Sequence, residues 1–233
     1  MRYGKVIAGT FIDRPNRFIA NVRIQGENNE PDSYPVVRCH VKNTGRCREL
    51  LVPGCRVVLS VAGNPDRETP YDLVAVWKGR RLINMDSQAP NAVVKESIGK
   101  ILGKCDRVVP EHTFGDSRFD FYAEQGGKRI ILEVKGVTLE DDGVVLFPDA
   151  PTERGLKHVR ELTSLVSEGF DCWICFLVQM GDVKYMSPNY ATHMEFGKAL
   201  EGAEAAGVHV VAYACDVEEG GLTLSHEVPV RFQ

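Results

Sequence analysis

Asp120, Glu133 and Lys135 are the residues whose types and spacing could perform chemistry. Glu133 and Lys135 lie two apart in an apolar run that reads as a strand, so their side chains point to one face. Asp120 lies in the segment Arg118-Phe119-Asp120-Phe121, ahead of a Gly126-Gly127 break that predicts a turn between neighbouring strands. Two carboxylates and an ammonium that converge at a sheet end could hold a hard divalent cation and a water molecule beside a phosphate. This is the chemistry of a metal-dependent nuclease.

The charges of these side chains suggest a role for each. We expect Asp120, Glu133 and the backbone carbonyl of Val134 to coordinate Mg²⁺ or Mn²⁺. Lys135 would position or activate the attacking water and offset phosphate charge. The alternative is an ordinary salt bridge on a surface hairpin, but apolar neighbours place these charges where charge is costly. Two further acids could reach the metal or be solvated carboxylates: Glu96 and Glu111.

Residues 86–233 are predicted to form the domain that positions this site. Their periodicity indicates a mixed sheet flanked by helices, in the helix–strand–strand–strand–helix–strand order typical of restriction-endonuclease-like cores. The stretch Asp86–Asn91 is the predicted linker that precedes it. The predicted helices are Ala92–Leu102, Glu153–Glu168 and Tyr190–Ala206, and the later strands are Phe170–Met180, Val183–Met186 and Val208–Ala214.

The second predicted helix carries Arg154, Lys157 and His158 in its first turns. We expect them on one face, away from the apolar stripe, where they could contact DNA phosphates. Cations gain nothing from the dipole of a helix N-terminus, so an anionic partner would explain them. The alternative is a solvated face on which Lys157 pairs with Glu161 four residues later.

Residues 1–85 read as a small all-β domain. Five or six short strands, separated by turn-rich stretches such as Gly26–Asp32, predict a closed barrel of the oligonucleotide-binding (OB) type. This half carries 14 Lys and Arg against 8 Asp and Glu, a balance of +6, whereas residues 86–233 balance at −10. The asymmetry favours a polyanionic partner for the barrel. Phe18 falls on the apolar face of its strand and is predicted to be core, and the DNA-binding candidates are Arg14, Arg17 and Arg46.

Composition excludes other classes of protein. The longest apolar run, Cys172 to Val178, is too short to span a bilayer. The N-terminus has no apolar region followed by a small-residue cleavage site, so we expect a cytoplasmic protein without a membrane partner. The seven scattered cysteines are expected to be reduced thiols.

Beyond these patterns, the chain resembles the sugar fermentation stimulation protein family of bacteria and archaea. The resemblance implies DNA binding without marked sequence preference, an OB-like N-terminal barrel and a restriction-endonuclease-like C-terminal domain. It also implies a regulatory role in sugar (maltose) metabolism. The segments that carry it include Asn43-Thr44-Gly45, Glu96-Ser97-Ile98, Arg118-Phe119-Asp120-Phe121, Glu133-Val134-Lys135, Phe147-Pro148-Asp149-Ala150, Thr152-Glu153-Arg154-Gly155 and Lys157-His158.

Two function hypotheses follow. The first is a DNA-binding protein, with single-stranded DNA and RNA as alternative partners, that cleaves phosphodiesters at a divalent-metal centre. The second is a non-catalytic DNA-binding regulator that keeps the nuclease fold. Phe119 stands where the usual nuclease motif has proline, which removes no metal ligand. A sugar- or nucleotide-binding module is a third hypothesis, without a glycine-rich phosphate loop to support it.

Overall fold

The computed structural model describes residues 1–24, 34–43, 45–64, 66–115 and 117–233. The predicted turn Gly26–Asp32 and Thr44 of the Asn43-Thr44-Gly45 segment lie outside the described residues. The chain divides into two compact units, and the predicted domain ranges, 1–85 and 86–233, stay a prediction. The first unit comprises Met1–Ala89, Gln179–Asp182 and Cys215–Thr223, and the second comprises Pro90–Val178, Val183–Ala214 and Leu224–Gln233.

The first unit contains a closed barrel of five strands. β1 pairs antiparallel with β2 and β4, β2 pairs with β3, and β4 pairs with β5. A parallel pairing of β3 with β5 closes the ring, and β6 pairs with β5. This confirms the OB-type barrel. Its strands are β1 (Val6–Asn16), β2 (Ile19–Ile24), β3 (Val36–Val41), β4 (Arg56–Val61), β5 (Tyr71–Lys78) and β6 (Arg81–Asn84).

The barrel closes because its strands bend and approach each other closely. The β1–β2 register shifts between Phe11 and Asp13 and again before Asn16, and such irregularities let a sheet curl. Gly9 has no side chain where β1 crosses β2, and a Cβ there would lie 2.5 Å from Val22 Cγ1. The barrel interior is filled by fully buried side chains such as Val57 and Leu73.

The second unit is built on a mixed sheet with three helices, which confirms the predicted α/β class. The sheet order is β15-β14-β12-β9-β8-β7, with antiparallel β7–β8–β9 and parallel β9–β12–β14. The helices are α1 (Ala89–Ile101), α2 (Glu153–Ser167) and α3 (Met194–Ala205). The strands are β7 (Arg107–Phe114), β8 (Ser117–Gln125), β9 (Lys128–Val137), β10 (Leu139–Asp141), β11 (Val144–Phe147), β12 (Asp171–Val178), β13 (Tyr185–Pro188), β14 (His209–Glu218) and β15 (Gly221–Val228).

Two predicted boundaries are wrong. The predicted linker Asp86–Asn91 ends inside α1, because Pro90 needs no backbone N–H partner in a first helical turn. The third helix begins at Met194 rather than Tyr190, and Thr192 and His193 donate backbone hydrogen bonds to Asn189 in a turn ahead of it. Among the described residues, no helix is long and apolar enough to cross a membrane.

Candidate metal centre

The hairpin of β8 and β9 carries the predicted acidic residues. Gly126 and Gly127 both have positive φ, at 54° and 84°, which suits the two-residue turn that joins Gln125 to Lys128. The paired register runs from that turn to Phe121 opposite Leu132. Asp120 and Glu133 are the next residues on the two strands. The hairpin therefore brings two carboxylates together beyond its last regular pair.

Asp120 is fixed by two donors at this end of the hairpin. Its Oδ2 accepts a hydrogen bond from the backbone N–H of Val134 at 2.8 Å. Its Oδ1 accepts one from Asn91 Nδ2, in the first turn of α1, at 2.7 Å. Burial raises the pKa of Asp120, and the nearby negative charge of Glu133 raises it further. A positive charge close to the Asp120 carboxylate would therefore stabilise its ionised form.

Glu133 is the most deeply buried acid of the site, at 3% exposure. Its Oε1 accepts hydrogen bonds from Lys135 Nζ and from His158 Nδ1, both at 2.5 Å. Burial raises the pKa of Glu133, but the hydrogen bond from His158 and the charge of Lys135 outweigh it and hold the pKa below its ordinary value. Its Oε2 is buried and has no hydrogen-bond partner within the described part of the chain.

These observations fit a bound divalent cation. A buried carboxylate oxygen without a partner is costly, and a cation would satisfy it. The same cation would offset the repulsion between Glu133 and Asp120. Within the described residues, no group of three or more His, Cys, Asp or Glu is arranged to hold a metal. The predicted ligands are two carboxylates and a backbone carbonyl, a set that suits Mg²⁺ because Mg²⁺ keeps several of its waters.

The two further predicted acids differ in their position. Glu111 lies in β7 between the residues paired with Phe119 and Phe121, which puts it beside Asp120 in the sheet. Its side chain is 69% exposed and forms an ion pair with Arg118 at 3.5 Å. Glu96 is exposed on α1. Their role as metal ligands stays a prediction.

The basic residues of α2 do not share one face. Arg154 and Lys157 are exposed, and Lys157 pairs with Glu161 at 3.5 Å, the alternative foreseen for it. The prediction that His158 lies on the polar face is wrong. His158 is 4% exposed because it lies four residues before Leu162 on the apolar side of the helix, where it contacts Phe119 and Glu133.

Sequence reasoning missed Asn91 and the inward position of His158. Asn91 was assigned to the linker, although Pro90 beside it is a signal for a helix start. His158 has the i, i+4 spacing to Leu162 that marks the buried stripe, which could have placed it inside. The helix itself begins at Glu153, as predicted, and Thr152 caps it by accepting a hydrogen bond from Gly155 N at 3.0 Å.

The predicted arginines of the barrel have different surroundings. Arg14 donates four hydrogen bonds to backbone carbonyls, those of Gly45, Arg46, Arg17 and Asn43, at 2.6 to 2.9 Å. Its guanidinium therefore holds the loop together. The side chains of Arg17 and Arg46 are exposed.

The prediction that Phe18 is core is wrong. The ring is 45% exposed, although Ala20 and Val22 on the same strand are fully buried. Phe18 precedes the first paired residue of β2, Ile19, so the regular alternation of the strand does not yet govern its direction.

Two protein-family models match this chain, one in its N-terminal part and one in its C-terminal part. A model described as "SfsA N-terminal OB domain" matches residues 12–85, and one described as "Sugar fermentation stimulation protein RE domain" matches residues 88–221. A sugar fermentation stimulation protein homolog of Desulfitobacterium hafniense is 49% identical over 232 residues, covering 99% of this chain and 98% of the relative. A homolog of Clostridium beijerinckii is also 49% identical, covering 99% of each chain.

A solved structure has the same fold. It is the structure of Pyrococcus furiosus SfsA in complex with Ca²⁺, which superposes with a TM-score of 0.86 at 24% identity and covers 100% of this chain and 98% of its own. Two matching family models and near-full-length relatives at almost half identity leave one conclusion. The chain belongs to the sugar fermentation stimulation protein family.

Proposed function

We propose that this protein binds DNA and cleaves it with a divalent cation held by Asp120 and Glu133. The observation that carries the proposal is the buried, unpartnered Oε2 of Glu133, beside a second carboxylate whose pKa is raised. Most buried polar oxygens in stable folds have a hydrogen-bond partner or an ion beside them, and a cation would fill that role here. A solved relative from Pyrococcus furiosus is in complex with Ca²⁺, a cation that, like Mg²⁺, takes oxygen ligands.

The cation would be held by Asp120, Glu133 and the Val134 carbonyl. When bound, Mg²⁺ or Mn²⁺ supplies Lewis acidity that polarises a phosphoryl oxygen and acidifies a bound water. Asn91 and the Val134 N–H keep the Asp120 carboxylate in place before the cation arrives. Such preorganisation is what an electrostatic catalytic site requires.

Lys135 is the residue of this site that can face a phosphate. Its side chain is 15% exposed, against 4% for Glu133, so its ammonium lies at the border between the buried carboxylate and solvent. From there it can position the attacking water and offset the charge that develops on phosphate. His158 donates to the same oxygen, Glu133 Oε1, from the buried side. We therefore assign His158 to positioning Glu133 rather than to contacting DNA.

Within each unit, exposed cations could contact DNA phosphates: Arg17 and Arg46 in the barrel, and Arg154 and Lys157 in α2. All four side chains are exposed, and contacts of this kind to phosphates do not depend on sequence. The proposal therefore predicts binding that weakens steeply with salt.

The experiment is a cleavage assay with purified protein, Mg²⁺ or Mn²⁺, and single-stranded DNA, duplex DNA and RNA. Glu133→Gln and Lys135→Met should abolish cleavage. Glu124→Gln, an acid on the same hairpin, and Lys128→Met, a lysine at its turn, should not. Absence of cleavage with every substrate and cation, or cleavage unchanged by Glu133→Gln, would refute the enzyme.

A non-catalytic DNA-binding regulator of sugar metabolism is the second candidate function. One observation favours it: Glu133 Oε1 already accepts from Lys135 and His158, so part of its charge is neutralised without a metal. In that case DNA would be bound in a salt-dependent manner, with no cleavage and no effect of divalent cations. The same assay, run with a binding measurement in EDTA, separates the two functions.

A further inference from the structure

We propose that the exposed ring of Phe18 is a stacking platform for an unpaired base, so that the barrel prefers single-stranded over duplex nucleic acid. This inference rests on the proposed DNA binding and specifies the form of substrate that the barrel takes. The Phe18 platform is defined here as the Phe18 ring, the Arg17 side chain and the pocket of about 180 Å³ beside them. That pocket is lined by Phe18, His40, Lys42, Asn43 and Gln88 among others.

The exposed ring of Phe18 can bind a flat apolar ligand. Its ring is 45% exposed, while Ala20 and Val22, two and four residues later, are fully buried. The Phe18 ring therefore lies outside the barrel core, in which its neighbours Ala20 and Val22 are buried. A flat apolar ring left in water is suited to another flat ring, and every base has such a face.

The backbone that carries the ring is held in position. Asn16 Oδ1 accepts hydrogen bonds from Phe18 N and Ile19 N at 2.9 and 3.1 Å. The Phe18 carbonyl accepts one from Val41 N at 2.7 Å. The backbone beneath the ring is therefore fixed before a ligand binds, and binding loses little backbone entropy there.

Arg14 extends this order to the basic side of the platform. Its guanidinium binds the carbonyls of Arg17 and Arg46, two residues whose own side chains are exposed, as well as those of Asn43 and Gly45. One half-buried cation, Arg14, thus fixes the backbone that presents two exposed cations. Arg14 is a positioning residue in this account.

The charge at the platform favours a ligand that carries both a flat ring and a negative charge. The Arg17 guanidinium lies 4.9 Å from the centre of the Phe18 ring. Two residues that line the pocket contact acids: Lys42 pairs with Asp86 at 2.7 Å, and His40 contacts Asp72 at 3.2 Å. An aromatic ring with a cation beside it is a means by which proteins hold single strands.

The occupant must be unpaired because a duplex hides the faces of its bases. In a double helix each base is covered by stacked neighbours, so an aromatic side chain reaches a face only at an end or after unstacking. Phosphate contacts through Arg17 and Arg46 serve both forms, but the ring adds affinity for the single strand alone.

The test is a fluorescence anisotropy titration, in EDTA to prevent cleavage, of a labelled single-stranded oligonucleotide and of its duplex. Wild type is compared with Phe18→Ala and Phe18→Tyr. The matched control is Val36→Ala, another large apolar side chain on the barrel surface, which is 54% exposed. Circular dichroism checks that each variant folds, as expected for substitutions of exposed side chains.

Loss of one base–aromatic stack corresponds to about 5- to 150-fold weaker binding. Phe18→Ala should show that loss for the single strand and change duplex affinity less than twofold. Phe18→Tyr and Val36→Ala should bind as wild type does. Unchanged single-strand affinity in Phe18→Ala, or an equal loss for both forms, would overturn the platform while leaving DNA binding intact. Absence of binding by wild type to either form would overturn the proposed function as well.

Discussion

Replacing His158 tests how Glu133 is held. His158→Leu places an apolar side chain of similar length against Phe119 and removes the hydrogen-bond donor to Glu133 Oε1. A hydrogen bond to a charged group contributes about 1.5–3 kcal/mol to stability. For a chain of this size, the midpoint of thermal unfolding should fall by about 3–12 °C. Removing a side chain that orients a metal ligand should also weaken Mn²⁺ binding about 10- to 100-fold.

His158→Asn is the control, because its side-chain amide can donate from near the position of Nδ1. We expect it to recover a substantial part of both losses. The assays are differential scanning fluorimetry without metal and isothermal titration calorimetry with Mn²⁺. A His158→Leu protein with unchanged unfolding midpoint and Mn²⁺ affinity would refute the positioning role, and Asn and Leu variants that behave alike would show that only volume matters.

Three further predictions follow from packing and charge. Gly197→Ala should destabilise by about 1–3 kcal/mol, measured by urea unfolding, since its Cβ would lie 2.4 Å from the Tyr190 ring. Gly202→Ala on the same helix meets nothing within 4 Å and should stabilise by up to about 1 kcal/mol. Burial raises the pKa of Asp72, but hydrogen bonds from Arg67 at 2.8 and 3.2 Å outweigh it and hold the pKa below the ordinary value of an aspartate. Asp72 therefore stabilises the fold at pH values above its pKa in the unfolded chain, and this contribution is lost as the pH falls through its lower pKa in the folded protein. Asp72→Asn should unfold more readily at pH 7 and approach wild type in acid; a difference that does not shrink would contradict this.

Much of the architecture was accessible from local sequence patterns. Short alternating strands with turn residues between them predicted the barrel, since such periodicity reflects which face of each strand is buried. The apolar run around Glu133 likewise predicted a buried strand. Helix boundaries are harder to predict: Pro90 lies in the predicted linker, but in the structure it belongs to the first turn of α1. The spacing of a residue from its apolar neighbours shows which face of a helix or strand it occupies. This spacing helps only if the residue is considered as a possible core residue in the first place.

That limitation explains the two errors in the candidate sites. The sequence analysis places His158 with Arg154 and Lys157 away from the apolar stripe, yet a buried carboxylate gives it a partner inside. It places Phe18 on the apolar face of its strand, yet the hydrogen bonds of Asn16 fix the turn that precedes the strand. The exposure of Phe18 depends on this turn geometry, which strand periodicity does not encode, whereas the spacing of His158 to Leu162 does mark the buried stripe of the helix.

The central claim is that Asp120 and Glu133 form a divalent cation site. The most direct measurement is the anomalous diffraction of a crystal soaked in Mn²⁺. We predict an anomalous peak within bonding distance of oxygens of both carboxylates, and no such peak in Glu133→Gln. Mn²⁺ bound elsewhere, with Glu133 Oε2 still unpartnered in the wild type, would contradict the account.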